Sequence, residues 1–281
     1  MTERGGLPLV PAYDAVVERN KIEILQKPGD LTIRDGDIAV TRWGDLMLND
    51  DDYSAFFKLV QTWRFNFPTI KVLFDASIDI AQHRRDLEAE LEGLFTQAAM
   101  KSRHPMHSLD YDAYHRTNDA TGAAEVARGV YAGSIAIALN NMLQSFRINI
   151  VATQDEWKKA APLFDGCSVG QILEASANNV RHAEEWQTTR PPTRQQMNSI
   201  QVLSAVFREP LDPPDGSRHR FSREVCPETL QLISNGDFQQ LETNLFSFAN
   251  AMLKQRQRRL PTQARAPSSL RLDETGTAPT P

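Results

Sequence analysis

ATGAAEVARGVYAGSIAIALNNMLQSFRI, residues 120–148, brings Val126, Val130, Ile137, Leu139, Met142, Leu143 and Phe146 round at helical spacing. A 3.6-residue apolar period held over so many turns predicts a long helix with one face for burial. Arg128, Asn140, Asn141, Gln144 and Arg147 interrupt it, so it falls short of the ~18 uninterrupted apolar residues that read as a membrane span. The same period opens upstream at Ile80, where Leu87, Leu91, Leu94, Phe95 and Ala98 make a stripe with Asp86, Glu88, Glu90 and Glu92 off it. Lys101 to Asn118 reads as the loop between these two helices.

Downstream the helical pattern continues in shorter pieces. Gln154 to Phe164 is a short helix closed by Asp165-Gly166, and Ser168 is an N-cap for a helix reaching about Trp186. Pro191-Pro192 stops it, Thr193 caps another helix to Phe207, and residues 210–216 (PLDPPDG) are a loop. A last helix from Phe238 to about Arg258 carries Leu241, Leu245, Phe248 and Met252. The expected fold is mainly α, a helical bundle over residues 79–259, with a disordered Pro-, Thr- and Ser-rich tail at 260–281.

The first part of the chain reads differently. After an extension at residues 1–28 come three Gly-Asp phrases, each a turn signal followed by alternation: Leu31/Ile33, Ile38/Val40 and Leu46/Leu48. They predict a meander of short strands, and their units are too short and too poor in glycine for a calcium-binding nonapeptide repeat. Residues 49–52 (NDDD) cap a helix through Phe56, Leu59, Val60 and Trp63, which is expected to stop before Pro68. Thr69 to Phe74, β-branched and apolar, reads as a fourth strand. Residues 29–78 therefore read as a small α+β unit, too small to be stable without packing on the helices downstream of it.

Composition narrows the function classes. The chain of 281 residues is 41% hydrophobic and 24% charged with net charge −5, so a sizeable core is expected and extensive wrapping of duplex nucleic acid is not. Cys167 and Cys226 form neither a CxxC pair nor a disulfide framework and read as small, partly buried thiols. The N-terminus lacks the basic and apolar regions of a secretory signal, so the expected location is cytoplasmic, with no membrane partner. No GxGxxG, Walker A, GxSxG or HExxH is present, and no cofactor is expected.

The sharpest local feature runs from Glu174 to Trp186. On a helix, Glu174, Asn178, Arg181/His182 and Glu185 share one face, with Asn179 beside them. Such a row is expensive to bury without partners, so it is a solvated face, a polar network between helices or a site. As a site, His182 is the general acid or base, Arg181 holds a phosphate or carboxylate, and Glu185 orients the imidazole. Asn178, Asn179 and Glu174 are the accompanying binding residues.

The phrase Asn178-Asn179-Val180-Arg181-His182, followed by Glu185-Trp186, resembles the polar helix of HEPN-like bacterial proteins. These are all-helical, and many are metal-independent ribonucleases of toxin or phage-defence systems. Their Arg and His act on RNA through the ribose 2′-hydroxyl. The resemblance implies RNA as partner, catalysis by Arg181, His182 and Glu185 without a metal, and a role in stress or defence. The family places Arg four to six residues before His, whereas here the two are adjacent and Asn178 takes the upstream polar place.

Three further features bear on function. His104, His107 and His115 lie close together with Asp110 and Asp112, which reads as a polar loop rather than a metal site, since Pro105 interrupts the spacing. Lys254, Arg256, Arg258 and Arg259 suit a helix C-terminus or a contact with RNA or an acidic partner. Residues 29–75 loosely resemble the opening of small phage baseplate or sheath-initiator proteins. That likeness implies the alternative function, a non-catalytic adaptor in a multiprotein assembly, with a protein partner or a second copy of the chain.

Overall fold

The computed structural model describes residues 8–26, 31–34, 38–41, 51–182, 185–187, 193–209 and 225–264. A short helix α1 (Tyr13–Arg19) and one 3-10 turn precede the paired strands β1 (Leu31–Arg34) and β2 (Ile38–Thr41). The strands are antiparallel, with Leu31 opposite Thr41 and Arg34 opposite Ile38. The Leu46–Leu48 phrase lies outside the described residues. Two long helices come next, α2 (Asp51–Lys101) and α3 (Tyr111–Asn149), then α4 (Gln154–Lys159) and a two-residue hairpin, β3 (Leu163–Phe164) and β4 (Cys167–Ser168). Helices α5 (Val169–His182), α6 (Arg194–Phe207), α7 (Cys226–Ser234) and α8 (Phe238–Ala264) complete the described chain. The mainly α class is as expected.

Two expectations are corrected at α2. This helix does not stop before Pro68 but runs 51 residues through it, so Thr69–Phe74 is helix and not a strand. Proline inside a helix forfeits a hydrogen bond and costs about 3 kcal/mol. Burial outweighs that cost: Trp63, Ile70 and Phe74 are buried, Phe67 packs against the same core, and Trp63, Phe67 and Phe74 all lie against Phe238. Positions 78 and 79, the expected boundary between units, fall inside α2. The loop after α2 is also shorter than expected. A 3-10 turn occupies Pro105–Ser108, and Asp110 caps α3 by accepting the Ala113 N–H at 3.0 Å, so α3 begins at Tyr111.

Helices α2 and α3 form an antiparallel pair of unequal depth. At about 1.5 Å per residue, α2 is roughly 75 Å long. Its half before Phe74 and the half of α3 after Ala132 join the main buried cluster, together with α1, α5, α7 and α8. The distal halves continue as a two-helix arm beyond that cluster, with Met100, Met106, Val126 and Val130 exposed.

Helix α5 is the centre of the body. Ser168 accepts the Gln171 N–H at 3.2 Å and Gln171 returns a carbonyl to the Ser168 N–H at 3.2 Å, a capping box that starts the helix as expected. Ile172, Leu173, Ala175, Ser176, Ala177 and Asn179 are all buried, so α5 is packed nearly all round. Its seam with α7 is polar and close. Ser176 donates to Ile172 O at 2.7 Å and lies 2.9 Å from Thr229 Oγ1, while the Cys226 thiol meets Ser176 O at 3.3 Å. Both cysteines are buried free thiols, and burial raises the pKa of Cys167.

Candidate functional site

The last turn of α5 leaves the core, and there the polar residues part company. Asn179 faces inward: it is fully buried, and its Oδ1 accepts the Val225 N–H at 2.9 Å. Glu174, one turn earlier, accepts the indole N–H of Trp157 at 3.1 Å. These two hold neighbouring elements on α5 and do not line the cavity. Arg181 is exposed and also lies off the cavity lining.

Asn178, His182 and Glu185 come together. They line a cavity of about 210 Å³ between the end of α5, the 3-10 turn Glu185–Gln187 and the start of α6. Glu185 is past the end of the helix, yet its carboxylate turns back to His182 Nδ1 at 2.9 Å. Its other oxygen accepts from Gln196 Nε2 at 3.1 Å. Gln196 is fixed in turn by the Thr193 capping box, in which Thr193 N donates to its Oε1 at 2.8 Å. Glu185 is thus oriented by the start of α6, and it presents His182 with a fixed acceptor. A carboxylate on Nδ1 sets the neutral ring as the Nδ1–H tautomer and leaves Nε2 as the basic nitrogen. Asn178 spends one amide N–H on Ser199 Oγ at 3.1 Å, keeping its carbonyl oxygen and second N–H.

Sequence reasoning does not single out Gln196 or Ser199, and it quotes Trp186 beside Glu185 without assigning it a place in the cavity wall. Gln196 carries a detectable signal, the T-x-x-Q capping box at Thr193. Ser199 carries none, because its role depends on how α6 lies across α5.

The other candidate groups are committed elsewhere. His104 and His107 sit ring to ring at 5.7 Å, and His115 lies against Tyr114 at 5.4 Å. Among the described residues no group of three or more His, Cys, Asp or Glu is placed to hold a metal ion. At the end of α8, Lys254 pairs with Glu23, Arg256 with Asp52, and Arg259 with Glu156, so these cations tie the chain's own elements together. A larger cavity of about 710 Å³ lies between α2 and the start of α8. Both of the cations that line it are paired, Arg19 with Glu242 at 2.7 Å and Lys71 with Asp75, and Asp79 and Asp237 line it as well. No helix among the described residues is long and apolar enough to cross a membrane.

No family model, no curated protein and no solved structure matches this chain.

Proposed function

We propose that the chain acts on RNA at the α5–α6 cavity, as a HEPN-like helical protein working in stress or phage defence. The observation that carries this reading is the Glu185–His182 pair: a base oriented by a carboxylate, half open to solvent, beside an amide that can hold a substrate. His182 Nε2 takes the proton of a ribose 2′-hydroxyl, and the freed oxygen attacks the adjacent phosphorus. The P–O5′ bond breaks, the leaving oxygen takes a proton from water, and a 2′,3′-cyclic phosphate remains. Arg181, on the same last turn and exposed, neutralises the phosphate from outside the cavity. General-base catalysis by a positioned imidazole contributes about 10²–10⁴-fold.

The test is growth of cells expressing the wild type or the Arg181→Ala/His182→Ala variant at matched folded levels, with total RNA examined. Wild-type arrest with broken RNA, absent in the variant, is the expected result. Equal growth and intact RNA in both counts against the reading.

A second reading rests on a different observation. The two-helix arm with exposed Met100, Met106, Val126 and Val130 suits a non-catalytic adaptor in a multiprotein assembly. A stable complex in cell extract, lost on Val126→Glu/Val130→Glu and kept on His182→Ala, is the result this reading expects.

A further inference from the structure

One side of the α2–α3 pair carries no charge. At the body end, Thr62 and Asn66 of α2 and Asn141 and Ser145 of α3 line a common groove over Leu59 and Met142. On α2 the line continues at helical spacing through Thr69, Leu73, Ala76 and Ile80. On α3 it runs from Ile148 back through Asn141, Ile137, Ser134 and Val130. Along both lines every side chain is exposed or half-buried. The charged residues of the same stretches, Arg64, Lys71, Asp75 and Asp79 on α2 and Arg147 on α3, stand about 100° or more round their helices. Helix α7 packs on the other side, where Phe74 and Ser77 share a cavity wall with Pro227 and Leu230.

The polar groups of this face are already satisfied. Thr62 Oγ1 donates to Lys58 O at 2.8 Å, Asn66 Nδ2 to Thr62 O at 2.8 Å, and Ser134 Oγ to Val130 O at 2.7 Å. Donors spent on their own helix are not stranded when water is removed, so covering the face carries little polar cost.

Size and charge say what covers it. At about 1.5 Å per residue each line is close to 30 Å long, and two adjacent helices are about 20 Å wide. That makes roughly 600 Å² on one copy, or about 1,200 Å² across two, the lower end of specific protein–protein interfaces. The chain has net charge −5, so two copies meeting on ordinary acidic surface repel. Two of these faces bring no like charges together, which a self-complementary two-fold contact requires.

We infer that the charge-free side of α2–α3 is the interface of a homodimer, in which two helix pairs pack about a two-fold axis. The inference stands apart from the RNA reading, and it gives the exposed Val130 of the adaptor reading a definite partner, a second copy of the chain.

The experiment is light scattering after gel filtration of the full chain over a range of loading concentrations. The wild type is expected at twice the chain mass, with a dissociation constant about micromolar. Val130→Glu/Ser134→Glu, both at exposed positions, should raise that constant at least about a hundredfold with helix content unchanged. Mixing that variant with Val130→Lys/Ser134→Lys at low salt should restore a dimer, which a misfolded variant cannot do. A wild type still monomeric at about 100 μM overturns the interface. So does a dimer that the glutamates leave intact, because another surface then holds it. Neither result touches RNA cleavage or the capture of a different protein in extract, which test the two functional readings separately.

Discussion

Asn178 and Asn179 are neighbours in sequence with opposite duties, because successive helix positions are about 100° apart. Asn179 is buried under Val225, so Asn179→Ala strands a backbone N–H and should cost about 1–3 kcal/mol in urea unfolding. Asn178→Ala, half-buried on the cavity wall, removes only a side-chain bond to Ser199 and should cost less, about 0.5–1 kcal/mol. Equal losses at the two positions would contradict their assignment. Gly170 is a sharper case: a Cβ there meets Phe248 at 2.5 Å and Trp157 at 2.7 Å. Gly170→Ala is therefore expected to cost about 1–3 kcal/mol by the same measurement. At this scale the sequence shows which residues are polar but not which way each points. Glu174 groups with the site on helical spacing and Asn179 only as the neighbour of Asn178, because neither spacing nor adjacency reveals that α5 is enclosed nearly all round.

At the scale of elements, caps are legible and the proline misleads. Ser168 and Thr193 start α5 and α6 where their side chains predict. Pro68 reads as a stop, although Trp63, Phe67, Ile70, Phe74 and Ser77 continue one stripe across it at steps of four and three. Local propensity argues for a break there, periodicity argues against one, and tertiary packing decides for periodicity. Helices α1 and α7, of 7 and 9 residues, escape a sequence reading because so few turns carry little periodic signal. Just past α3, Val151 holds a left-handed conformation at φ 52°, which a β-branched side chain rarely adopts. Its N–H meets Ile148 O, and the next N–H meets Arg147 O, so the position is one that glycine normally fills. Val151→Gly should raise stability by about 1 kcal/mol, visible as a higher urea midpoint at unchanged slope.

For the whole molecule, the opening segment is fastened to the last helix. Glu242 is buried on α8 and accepts from Arg19 Nε and Nη2 and from Asn20 Nδ2. Arg19→Met leaves that carboxylate buried with Asn20 alone and should cost about 3 kcal/mol. Glu242→Gln, which keeps an acceptor, should cost less. No sequence pattern joins positions more than two hundred residues apart, so this fastening is not legible in advance. The arm is legible only in part: its helices are expected, but not their reach beyond the core. Its thin burial predicts that amides near residues 85–125 exchange with solvent faster than those of α5 or α8. Uniform protection along α2 and α3 would show that something else covers the arm.

Everything proposed for the cavity depends on His182 working on RNA. The direct measurement incubates purified protein, with chelator and no added metal, with end-labelled single-stranded RNA, comparing wild type with His182→Ala. Cleavage leaving 2′,3′-cyclic phosphate ends is expected, slowed about a hundredfold or more in the variant while RNA binding persists. Intact RNA with the wild type, or equal cleavage by both proteins, would contradict it.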